Sequence, residues 1–161
     1  MKDAVLLATL EKVFHLESRS FVRYLVEAAS PTVRSEFDSR VRALVETWYR
    51  DTQGNLGILQ RLFEREDFIP TGSTWSLVYT QYNFLAYNYL LGDIDKRMQS
   101  LLDEIESNAA DLADWPEAQS ALNGLLAAER PHLKKFRELA AERPDDEPDE
   151  GPRRKVSANF W

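Results

Sequence analysis

The stretch Leu125–Phe136, LLAAERPHLKKF, decides how this chain is read. Its residues suit a helix except Pro131, which removes a backbone donor and crowds the preceding turn at a cost of about 3 kcal/mol. Leu122, Leu125, Phe136 and Leu139 recur at the three- and four-residue spacing of one helix face. Glu129 and His132 fall on the same face, with Pro131 between them. At a separation of three residues their side chains point the same way. Either the helix is bent for packing, or an acid and an imidazole are wanted in one place. A capping or supporting pair in a core without metal is the third reading.

Outward from that stretch, the chain divides into four long segments with helical periodicity. The first runs from about Asp3 to Ala29 along Leu6, Leu10, Val13, Glu17, Phe21, Tyr24 and Ala28, and ends at ASPT. The second begins after Ser30 or Pro31 and reaches about Glu64 through Val41, Val45, Trp48, Leu56, Leu59 and Phe63. Gly54 and Gly57 lie inside it, each costing about 1 kcal/mol relative to alanine. A close helix contact or a local bulge is the expected reason. After REDFIPTGST, with Ser73 or Thr74 as an N-cap, a third segment runs from Trp75 to about Asn108. Its later half, Ile94, Met98, Leu101, Leu102 and Ile105, is plainly helical. Its early half, WSLVYTQYNFLAYNYLL, is either helix or a connection crossing the bundle. The fourth starts near Asp114 and Pro116 and runs to about Glu142. Four long helices with short connections predict an all-α four-helix bundle over residues 1–142.

Composition narrows the function. The 161 residues suffice for one domain with a real core. A net charge of −7 and a pI near 4.9 make nucleic acid an unsuitable partner. With no cysteine, disulfides, thiolate catalysis and iron–sulfur clusters are excluded. The N-terminal apolar run is broken by Glu11 and Lys12 and does not read as a signal peptide. No stretch reaches the roughly 18 apolar residues that span a bilayer. A soluble, cytoplasmic protein without membrane contact is the expectation. No glycine-rich phosphate loop is present, and neither haem nor nucleotide is expected.

Charged residues on faces that should be buried carry the chemistry, because a carboxylate removed from water needs a partner, a proton or a metal. Glu17 interrupts the first stripe, and Glu129 with His132 interrupts the fourth. Glu46 lies at the edge of the second stripe and Asp93 at the edge of the third. Each helix thus offers one carboxylate near its middle, as in bundles that hold two metal ions with carboxylates and Glu-x-x-His pairs. Ion pairing of Glu17 with Arg19, Arg23 or a base on the fourth helix is the plainer alternative. His15 points to another face.

These segments resemble the ferritin-like superfamily, and its rubrerythrins in particular, over about residues 5–140. ESRSFVRYLVEAA is similar to the first-helix signature, a metal glutamate, Glu17, followed seven residues on by a tyrosine, Tyr24. AAERPHLKKFREL resembles the fourth-helix Glu-x-x-His pattern. VRALVETWYRDT resembles the second-helix pattern, with Tyr49 where the family has histidine, and LLGDIDKRM the third, with Asp93 where it has glutamate. The resemblance implies a dinuclear iron or manganese site of Glu17, Glu46, Asp93, Glu129 and His132, with Tyr49 and Tyr24 as further ligands or supports. It implies oxidase- or peroxidase-type chemistry on dioxygen or peroxide, and a dimer or larger homo-oligomer. The competing expectation is a metal-free helical binding module on the same fold, acting through protein contacts of the third helix and the tail.

Residues 143–161 form an acidic, proline-rich tail ending in RRKVSANFW. Such composition predicts a disordered or extended segment. Phe160 and Trp161 are its candidate apolar anchors for a protein partner.

Overall fold

A computed structural model describes residues 2–144. Among them the regular structure is helical: α1 (Ala4–Ser18), α2 (Phe21–Tyr24), α3 (Glu36–Arg65), α4 (Leu91–Asp111) and α5 (Pro116–Ala141). Helix α1 packs against α3 and α4, and α5 packs against the same two. The core lies between these four, filled by residues such as Leu10, Val45, Trp48, Ile94 and Phe136. No helix of the described residues is long and apolar enough to cross a membrane.

The first predicted helix is broken. Asp3 caps α1 through a side-chain bond to the Val5 amide, and α1 ends at Ser18. Ser20 then caps α2, which widens into a single π-helical turn at Leu25–Ala29. A π-turn inserts one residue into the helical repeat, so Ala29 rather than Ala28 is buried. Ser30 closes the turn in the left-handed conformation, φ 46°.

Helix α3 starts at Glu36, later than Pro31, because the Ser35 side chain accepts from the Asp38 amide and caps it. All six of its expected stripe residues are buried. The glycine expectation is overturned. A Cβ on Gly54 would meet nothing within 4 Å, and one on Gly57 only Arg61 Nη1 at 3.8 Å, so neither serves a close helix contact.

The largest departure is the third segment. Helix α4 begins only at Leu91, and the chain before it crosses from α3 as two 3₁₀ turns, Leu77–Tyr82 and Tyr87–Tyr89. Neither Ser73 nor Thr74 caps a helix; Ser76 caps the first 3₁₀ turn. Tertiary bonds hold this crossover. Thr32 pairs with Ala86 in a short parallel bridge, and the Phe84 amide donates to Ala29 O at 2.9 Å. Asp38, fully buried, accepts from the Asn88 amide at 2.9 Å and the Arg34 amide at 2.8 Å. At the other end His15 Nε2 meets Thr71 O at 2.8 Å. In α5, Pro116 takes the first helical position and the helix continues through Pro131, whose side faces solvent.

Candidate site in the helical core

Two of the five predicted ligands meet. Glu17, on the last turn of α1, and Glu129, in the middle of α5, are 0% and 1% exposed. Asn55 of α3 lies between them, and its Nδ2 donates to Glu129 Oε1 at 3.0 Å and to Glu17 Oε1 at 3.2 Å. Trp48, two turns earlier on the same face of α3, donates its indole N–H to Glu129 Oε2. Both Glu129 oxygens are therefore engaged by neutral donors. Glu17 Oε2 is buried and no donor reaches it.

The electrostatics follow from this arrangement. Burial holds the Glu17 carboxyl well above the usual range, and the nearby Glu129 carboxyl pushes it further the same way. Asn55 and the more distant Arg23 pull against that rise without reversing it. Charging two carboxyls side by side in a dry core is costly. A proton kept on Glu17 relieves that cost and lets its carboxyl hydrogen-bond to Glu129.

The other predicted residues are elsewhere. His132 lies on the stripe but turns toward α3, where its Nε2 meets Asp51 Oδ2 at 2.6 Å. Trp48 stacks on its ring, with centroids 5.7 Å apart and planes 15° apart. Trp48 thus stands against both members of the Glu129–His132 pair, its N–H on one and its face on the other. Glu46 is exposed and sits 3.9 Å from Arg42 on its own helix. Asp93, in the first turn of α4, accepts from the Tyr82 hydroxyl at 3.0 Å. Tyr49 donates to Glu27 Oε1 at 2.9 Å and lies beneath the Arg23 guanidinium. Tyr24 donates to Asn83 Oδ1 at 2.6 Å. Phe160 and Trp161 fall outside the described residues.

The donor set does not fit a dinuclear metal centre. Among the described residues no group of three or more His, Cys, Asp and Glu side chains is placed to hold an ion. Of the two carboxyls that do meet, three oxygens already accept hydrogen bonds from Trp48 and Asn55. The plain alternative for Glu17, pairing with Arg23, is not seen either: Arg23 bonds Glu27 at 2.6 Å, Thr52 at 3.2 Å and Ser18 O at 3.3 Å.

Spacing gives Trp48 as a residue of the apolar stripe and does not single out Asn55. The signal for both lay in the register of α3. Trp48, Thr52, Asn55 and Leu59 follow three- and four-residue steps, so two polar residues sat on a face that had to be buried. Compared with protein-family models, curated proteins and solved structures, the chain matches none of them.

Proposed function

We propose that the chain is a ferritin-like four-helix bundle serving as a metal-free binding module, its centre closed by hydrogen bonds where relatives of that fold would hold ions. The observation that carries this reading is the Glu17–Asn55–Glu129–Trp48 cluster. A polar core of this kind is stable only when its members satisfy one another, and here the amide and indole supply the donors that cations would otherwise replace. The pairwise packing of α1 with α3 and α4, and of α5 with the same two, supports the bundle. So does the long crossover between α3 and α4, a connection that ferritin-like bundles share.

In this reading the crossover is the recognition surface. Leu77 is 84% and Phe84 63% exposed, unusual for large apolar side chains in a segment otherwise pinned to the body. These positions support contact with a protein, in the part of the chain where an aromatic third helix was expected. The test is a ferroxidase assay. Ferrous iron added to the protein under air is expected to oxidise no faster than in buffer. Saturable oxidation that disappears in Glu129→Ala would overturn the proposal.

A further inference from the structure

A groove with a cavity volume of about 620 Å³ opens between α1 and α4, roofed by the crossover. That volume is within the range of roughly 300–1,000 Å³ typical of small-molecule sites. Its acidic groups are already committed. Glu11 Oε1 accepts from the Thr71 amide at 2.5 Å and hydroxyl at 2.9 Å, and Glu104 lies 3.9 Å from Lys12.

Its guanidiniums are not. Arg97 lies 4.9 Å from the Tyr79 ring centroid and 5.4 Å from that of Phe21, and spends one nitrogen, Nη2, on the Tyr82 hydroxyl at 3.1 Å. Its Nε is buried with no acceptor. Asp93, the acid whose charge reaches it, is bonded to Tyr82. Arg19 stacks on Trp75 at 4.7 Å and uses Nε on Ser73 O at 2.9 Å, which leaves its terminal nitrogens without an acceptor among the described residues. Guanidiniums seated over aromatic rings are positioned in advance for oxyanions. Two of them in one groove of a chain with net charge −7 oppose the overall field.

We infer that this groove binds a small organic oxyanion, a carboxylate or phosphate monoester on a planar apolar body. Arg97 and Arg19 take the oxygens, Ser100 on α4 supplies a hydroxyl, and Tyr79, Leu16 and Leu101 cover the body. The inference gives the binding-module reading a ligand class, yet it stands on different residues.

The test is a fluorescence titration of the full chain with 8-anilinonaphthalene-1-sulfonate, run beside its uncharged analogue N-phenyl-1-naphthylamine. The expected result is saturable binding of one sulfonate per chain and little of the analogue. Displacement by phenyl phosphate or by benzoate tells which oxyanion the groove prefers. Arg97→Met should weaken binding by about tenfold or more, the loss expected when a charged hydrogen bond is removed. Ser100→Trp, which narrows the groove and leaves both guanidiniums in place, should abolish it, with melting curves confirming that both variants fold. Equal binding of the uncharged analogue, displacement by neither competitor, or unchanged affinity in Ser100→Trp would overturn the inference. Repeating the titration on chelator-treated protein separates the two proposals. Metal found in the core alongside sulfonate binding in the groove would sink the proposed function alone. A metal-free core with no sulfonate binding would sink this inference alone.

Discussion

Glu17 is the residue on which the core turns. Its carboxyl is raised above the ordinary value of 4.5, first by burial and then by Glu129. Above pH 4.5 the unfolded chain loses this proton while the folded protein keeps it. The stabilisation from Glu17 is thus complete below that pH and is lost as pH climbs toward the raised value. The slope is up to about 1.4 kcal/mol per pH unit. Glu17→Gln, which cannot ionise, should become steadily more stable than the parent from pH 4.5 upward in urea melts; parallel pH profiles would contradict the assignment. Trp48→Phe keeps most of the ring but removes the donor to Glu129 Oε2. It should cost about 1–3 kcal/mol in the same melts, the penalty of leaving a buried acceptor unpaired. The acids on the stripes were legible in the sequence because burial of Glu17 and Glu129 follows from spacing alone. What the spacing could not give was the partner. Glu-x-x-His places two side chains on one face, but whether that face meets an ion or an indole depends on the neighbouring helix, and Trp48 is on α3.

Among the elements, the long helices were readable and the crossover was not. Apolar residues at helical spacing placed α3, the later part of α4 and α5 close to their observed limits, since each buries one face in a common core. The run from Trp75 to Leu90 has similar composition but is fixed from outside itself. The Asp38 carboxylate, the Thr32–Ala86 bridge and the Tyr24 hydroxyl on Asn83 hold it, and all three come from distant sequence. Local periodicity carries no record of such bonds. The break after Ser18 leaves Phe21 and Tyr24 buried as an unbroken helix would, and the π-turn at Leu25–Ala29 moves burial only from Ala28 to Ala29, so neither interrupts the apolar pattern. Gly54 gives a direct check on α3. With open space around its Cβ position and a place inside a long helix, Gly54→Ala should raise stability by about 1 kcal/mol. A loss of stability, measured by chemical denaturation, would show that the position meets something the described residues do not.

For the molecule as a whole, α1, α3, α4 and α5 close on a core that holds one buried pair of acids. That pair is bridged by the Asn55 amide and capped by the Trp48 indole. Glu46 and Asp93 lie away from it, Glu46 beside Arg42 and Asp93 accepting from the Tyr82 hydroxyl. Basic side chains gather in the groove under the crossover, where Glu11 is bonded to Thr71, Glu104 lies near Lys12, and Arg97 Nε is buried without an acceptor. On the proposed reading the centre has a structural task and the flank a recognition task. The most direct test of this division is calorimetric titration of chelator-treated protein with ferrous iron and with manganese, followed by a thermal melt of each mixture. The account predicts no saturable heat and an unchanged melting temperature, because a ligand that binds only the folded state must raise it. Two ions bound per chain with a raised melting temperature, both lost in Glu129→Ala, would contradict it.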